Sequence, residues 1–252
     1  MDAFYYWRLV ATGLSFAIFG VGGLVMGAII LPLQRLLPGG IEARRSRARR
    51  AVQAGMRAFV AVMRTLGVLT YEARGIERLG RPAQLIVANH PSLIDVVFLI
   101  AFAPRATCVV KEALWRNPVT RAAVLEAGYV SNAPTDQMIA DACAALRGGQ
   151  SVIIFPEGTR TTPGRPMQFH RGAAAIAVHA AHVITPVFVR CTPTTLSKNE
   201  PWYRIPKRRV RFSLQVGPDI DPAPFRDAAP APLASRALNE HLLSVFSAEL
   251  AH

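Results

Sequence analysis

The chain has 252 residues, 51% of them apolar, with 29 Lys and Arg against 16 Asp and Glu for a net charge of +13. That length suits one large domain, and the charge calls for an anionic partner, either nucleic acid or a surface of acidic lipid. Cys108, Cys143 and Cys191 form no CxxC or Cys/His pattern. This excludes a disulfide framework or structural zinc and points to a reduced, cytosol-facing domain with the cysteines as small apolar fillers.

The first element is a membrane anchor. Residues 9–31 carry no charge, and 23 helical residues reach about 34 Å, enough to cross a hydrocarbon core. A cleavable signal fits worse, because the positive n-region is weak and no small-residue cleavage site follows. Gly23 and Gly27 make a GxxxG, a weak sign of a helix dimer. Pro32, Pro38, Gly39 and Gly40 are expected to break the chain before a second helix over residues 46–67. Val52, Met56, Phe59, Met63 and Leu66 form one apolar stripe on that helix, so it either docks on the globular domain or lies in the membrane interface. Residues 1–69 thus read as membrane-associated helices and residues 70–252 as the globular domain.

Charge placement favours lipid over nucleic acid. Residues 35–50 and 198–211 each carry a net +5. The first cluster directly follows the apolar segment, where it would hold that side in the cytoplasm. The interleaved aromatics of a single-strand binder are absent, and no nucleic acid is expected as a partner.

Beyond residue 70, β-rich runs at 84–89, 106–110, 151–156, 183–190 and 209–217 alternate with helical stretches at 93–102, 112–127, 135–148 and 171–181. The pattern predicts an α/β domain with a largely parallel sheet flanked by helices and ligands near the carboxyl ends of the strands. A Pro and Ala-rich loop at 222–234 precedes a C-terminal helix.

Two motifs follow directly on predicted strands. In NHPSLID (89–95), Ser92 and Asp95 fit a capping box, with Ser92 as the N-cap. That helix start would keep Asp95 ionised, and the carboxylate would orient His90 to take a proton from a hydroxyl. The other reading of the same residues is a turn and its cap. In FPEGTRT (155–161), a proline and a glycine shape a tight loop. Glu157 and Arg160 either pair with one another or leave Arg160 and the amides around Gly158 to receive a phosphate.

Taken in this order, NHPSLID and FPEGTRT resemble the glycerolipid acyltransferase family that includes the lysophosphatidate acyltransferases, over roughly residues 70–220. KEALWRNPVTRAAVLEAGYV (111–130) and ITPVFV (184–189) look like its third and fourth blocks. The resemblance implies that His90 is the general base and Asp95 its orienting partner. The acceptor hydroxyl would attack the thioester of acyl carrier protein or coenzyme A directly, with no bound cofactor and no metal. It implies a head-group site at Glu157, Gly158, Thr159, Arg160 and Arg171, with Asn89, Ser92 and Lys111 as further substrate contacts. It also implies a membrane location, the bacterial inner membrane with the catalytic domain toward the cytoplasm.

Two departures bear on the acceptor. GYVSNAP places Ser131, Asn132 and Pro134 where the family commonly has an arginine, and QFHRGA places His170 and Arg171 where it often has lysine. A lysophospholipid, chiefly 1-acylglycerol-3-phosphate, is the expected acceptor. The alternatives are a non-phosphate acceptor such as a lyso-aminolipid, a non-catalytic lipid binder, and a hydrolase that activates water with the same pair.

Overall fold

The computed structural model describes residues 3–251 apart from 163 and 165. Seven strands, β1 (Leu69–Arg74), β2 (Gln84–Ala88), β3 (Thr107–Val110), β4 (Val130–Ser131), β5 (Val152–Ile154), β6 (Val183–Thr192) and β7 (Val210–Val216), form one sheet in the order β1-β7-β6-β2-β5-β3-β4. Every neighbouring pair is parallel except β6 with β7. The alternation expected of an α/β domain is therefore present. β1 and the two-residue β4 are additional strands.

Alternate residues serve opposite faces of the sheet. Ile86 and Ala88 enter a core shared with α3 (Ile41–Thr65), α4 (Asp95–Phe102) and α5 (Arg121–Ala127), whereas Leu85 and Val87 enter one shared with α6 (Thr135–Arg147), α7 (Gly172–Ala180) and α9 (Ala231–Leu250). Aromatic pairs anchor both layers: Phe98 with Phe212 at 5.1 Å between centroids, and Phe188 with Phe246 at 4.9 Å. Each of these fully buried rings contributes about 1.5–3 kcal/mol. The helix expected over 112–127 is split at Asn117–Pro118 into a 3-10 turn (Glu112–Trp115) and α5, because proline cannot continue a helix interior. The loop expected at 222–234 instead contains α8 (Ala223–Ala228) and the first turn of α9.

The N-terminal helix is longer than its uncharged core. α1 (Ala3–Val25), a π turn (Met26–Ile30) and α2 (Leu31–Arg35) run on as one helix, long and apolar enough to cross a membrane. Pro32 does not break it: the π turn at Met26–Ile30 directly precedes it, shifting the backbone hydrogen-bond ladder where the proline lacks an N–H. The break falls at residues 36–40, where Gly39 has φ +122°, and α3 starts at Ile41 rather than near residue 46.

The polarity of α1 is inverted. Phe4, Trp7, Val10, Leu14, Val21 and Leu24 face outward, while Ala11, Thr12 and Ser15 are buried against the domain. Contacts continue along its length: Trp7 Nε1 donates to Leu66 O at 2.9 Å, Phe19 meets Phe59, and Arg35 pairs with Glu126. Gly23 and Gly27 lie so close to Val119 and Ala122 that a Cβ would come within 2.4 Å and 2.9 Å of them. The GxxxG therefore serves packing within the chain and not a helix dimer.

The α3 stripe docks rather than floats. Val52 and Met63 are buried, and Met56 and Phe59 pack against the same core. The arginines of residues 35–50, exposed Arg50 apart, also find partners within the chain. Arg35 and Arg44 pair with Glu126, Arg45 and Arg49 with Glu42, and Arg47 donates to the carbonyls of Gln34, Leu37 and Pro38. This cluster fastens the end of the long helix to the domain, a use that a count of charges does not show.

Candidate active site

β2 and β5 are adjacent and parallel, with Val87 opposite Ile154. Both motifs therefore leave the sheet side by side at the carboxyl edge. His90 Nδ1 lies 3.1 Å from Asp95 Oδ2, with the imidazole mostly covered and the carboxylate fully buried. The Ser92 N–H donates to the same Oδ2 at 2.7 Å. The helix starts two residues later than the expected capping box: α4 begins at Asp95 itself, after Ile94. Ser92 is buried, and only its backbone N–H reaches the carboxylate. With Nδ1 facing Asp95, Nε2 is left as the nitrogen that can accept a proton.

Burial dominates the electrostatics of Asp95. Desolvation raises its carboxyl and the bonds from His90 and the Ser92 amide oppose it only in part, leaving it at about 6. Its second oxygen, Oδ1, is buried without a hydrogen-bond partner among the described residues, which adds to the cost of ionisation. Burial thus works against the helix start that the sequence invoked to keep Asp95 ionised, while His90 and the Ser92 amide hold its charged form.

FPEGTRT clamps the histidine. Glu157 is buried, and its Oε1 accepts from the His90 N–H at 2.8 Å and from the Thr161 hydroxyl at 2.9 Å. The Thr161 N–H donates to His90 O at 2.7 Å. Phe155 stacks on the imidazole at 4.3 Å and 26°, a contact that the sequence signals only by an aromatic at the end of a strand. Burial raises the Glu157 carboxyl, and its two donors oppose the rise. The pairing of Glu157 with Arg160 considered from the sequence does not form. Arg160 instead donates through one nitrogen to Leu196 O at 2.8 Å and Ser197 O at 3.0 Å.

The other expected contacts divide. Asn89 is buried and bonds both ways to β6, its amide to Val189 O and its oxygen from Val189 N–H, each at 2.8 Å. It is a rung of the sheet, with both polar ends of its side chain already bonded. Gly158 takes φ +64° in a turn that only glycine adopts readily, and a Cβ there would meet the His170 ring at 3.1 Å. That places exposed His170 and Arg171, with partly exposed Thr159 and Arg160, around one rim, while Lys111 is exposed at the start of the 3-10 turn that follows β3. The Ser131 hydroxyl and the Asn132 side-chain oxygen bond locally, to Ala133 and Glu112, so they do not replace the arginine of the family pattern.

An apolar cavity of about 290 Å³ opens beside the pair. Leu93 and Ile94, between His90 and Asp95 and their helix, line it together with Phe16 and Phe19 of α1, Met56 and Phe59 of α3, and Leu196. Neither His90 nor Asp95 lines it, but a base held by the same loop can deprotonate a hydroxyl while an acyl chain occupies the cavity next to it.

The fold and this layout define an α/β domain with a His–Asp pair beside an apolar pocket. Comparison places it more closely. Residues 70–190 match the Acyltransferase family model. The chain is 26% identical over 187 residues to the 1-acyl-sn-glycerol-3-phosphate acyltransferase of Pseudomonas aeruginosa, covering 71% of this chain and 70% of that protein. It is 34% identical over 102 residues to the enzyme of that name from Helicobacter pylori, covering 38% and 43%, and 32% identical over 128 residues to the human beta form, covering 47% and 46%. The crystal structure of the 1-acyl-sn-glycerophosphate acyltransferase from Thermotoga maritima superposes with a TM-score of 0.67 over 96% of both chains at 22% identity. Residues 70–190 thus carry an Acyltransferase domain, and the named relatives support the lysophosphatidate acyltransferase family.

Proposed function

We propose that the protein moves a fatty acyl chain from an acyl thioester, carried by acyl carrier protein or coenzyme A, to the free hydroxyl of 1-acylglycerol-3-phosphate. The observation that carries this reading is the His90–Asp95 pair set against the apolar cavity. His90 Nε2 removes the hydroxyl proton as the oxygen attacks the thioester carbonyl, Asp95 holds the imidazole and stabilises the imidazolium, and the thiolate leaves with the proton. The thioester is already activated, so positioning and one base supply most of the acceleration. Arg160, Arg171 and the Gly158 turn form the rim that would receive the acceptor's phosphate. The relatives' names support that acceptor.

We place the enzyme at the cytoplasmic face of a bacterial inner membrane. Its long helix, lined along its length by the domain, lies in one leaflet rather than crossing, because a helix docked in this way cannot also be ringed by lipid. The test is transfer by purified protein in detergent micelles from palmitoyl thioesters to lysophosphatidate. Release of free fatty acid without an acceptor would instead identify a hydrolase.

A second reading, a lyso-aminolipid acceptor, rests on the missing arginine at Ser131 and on the engagement of Arg160 with Leu196 and Ser197. Competition between acceptors decides between them: exclusive use of lysophosphatidate rejects the aminolipid.

A further inference from the structure

The loop of residues 193–209 between β6 and β7 touches three things at once. At its start it meets the catalytic motifs: Leu196 O accepts from the Leu93 N–H at 3.2 Å and from Arg160 at 2.8 Å. At its middle Trp202 lies against Gly13, whose added Cβ would come within 3.4 Å, and against Phe16 at 5.8 Å between rings. Near its end Arg8 of α1 donates to Pro206 O and Lys207 O. Leu196, Trp202, Ile205 and Pro206 meanwhile form one wall of the apolar cavity. Leu196 and Asn199 hold left-handed φ of +52° and +62°, so this wall has a fixed, unusual path.

Its outer surface has the chemistry of a lipid interface. Trp202 and Tyr203 are 46% and 60% exposed and pack edge to face, and Lys198, Arg204, Lys207 and Arg208 are exposed beside them. The loop's one carboxylate, Glu200, is turned inward to the Ser197 amide and hydroxyl. Tryptophan and tyrosine prefer the headgroup layer, and cations next to them favour acidic headgroups. Gly13 and Phe16 border the outward apolar stripe of α1, which makes the loop continuous with it.

We propose that the Trp202–Tyr203 loop is a second membrane contact, for an anionic lipid surface, and that it forms the lipid-side wall of the cavity beside His90. Chains then reach the cavity from the bilayer between this loop and α1. An acidic carrier protein would also suit the cations, but not two exposed aromatics that continue a lipid-facing helix.

The first test is spectroscopic and independent of activity. Trp7→Phe with Trp115→Phe leaves Trp202 as the sole tryptophan. In vesicles of phosphatidylglycerol and phosphatidylcholine, brominated acyl chains should quench its emission at least about twofold. Unquenched emission that remains open to aqueous iodide overturns the proposal. The second test rests on the acyl-transfer reading. The variant Tyr203→Ser, Arg204→Ser, Lys207→Ser should match wild type in neutral detergent micelles and lose, by about fivefold, the rate increase that anionic lipid gives wild type. An unchanged lipid response overturns the proposal, as does a loss in neutral micelles confined to the carrier-protein thioester. If wild type transfers no acyl chain at all, the function proposed above fails while the quenching result still judges this contact.

Discussion

The two loops at the carboxyl edge of the sheet use their polar atoms in opposite ways. The loop from β2 holds a mostly covered imidazole against a buried carboxylate. The loop from β5 turns its carboxylate inward, so that Glu157 grips the backbone of His90 and the hydroxyl of Thr161. On the function proposed above, one loop performs the chemistry and the other fixes where it happens. Charged residues in a motif are thus not all substrate ligands: a buried acceptor with two donors already in place has little left to offer a head group.

Removing the chemistry should give the largest effect. His90→Ala is expected to lower kcat on the order of 10³-fold with the fold intact, measured as acyl transfer alongside circular dichroism. Retained transfer would break the division between the loops at its first member. Asp95→Asn should follow at roughly 10²-fold, because the amide no longer stabilises the imidazolium. The pH response has a defined sign. The Asp95 carboxyl is raised from 3.8 to about 6, so kcat/KM should fall as pH drops through about 6 and the pair takes up a proton. The linkage to stability runs the other way. Between these two values the folded state binds the proton more tightly than the unfolded one, so this group's stabilising contribution is present at low pH and lost as pH rises through about 6. Asp95→Asn should therefore melt no lower than wild type at pH 8 while it is nearly inactive.

Breaking the clamp should cost less and in a different parameter. Glu157→Ala is expected to lower kcat about 10- to 50-fold with little change in the acceptor's KM, as displacement of a positioned base predicts. A rise in KM with kcat preserved would restore Glu157 as a head-group ligand. Thr161→Val removes one of the two side-chain and backbone donors to Glu157 and should show the same pattern more weakly, about threefold, since the His90 amide still holds the carboxylate.

How much of this could be read from the residues follows the range of each contact. The strands at 84–89, 151–156 and 183–190 announce themselves by continuous apolar runs, and His90 and Asp95 meet because five residues at a helix start can do so locally. β1, LTYEAR, alternates too weakly and is only partly buried at the sheet edge, so it escapes pattern. The two basic segments have the same net charge, yet the first is tied to Glu126, Glu42 and carbonyls while the second keeps Arg204 and Lys207 at the surface. Charge count cannot separate these uses, because the partners lie far along the chain. The same is true of Glu157, which is 67 residues from the amide it holds.

Asn89 shows how a motif position can belong to the scaffold alone. Its side chain bonds the N–H and C=O of Val189 on β6, joining the end of β2 to its neighbour where the regular ladder stops at Ala88 and Val187. Asn89→Ala would leave both Val189 groups buried without a partner, at a cost of about 1–3 kcal/mol. The expected signature is a lower midpoint in urea with an unchanged slope and a kcat reduced only a few-fold, since His90 next to it is still gripped by Glu157 and Thr161. A large kcat loss at unchanged stability would mean that Asn89 meets substrate after all, and the line between the chemistry and its scaffold would have to be drawn one residue earlier.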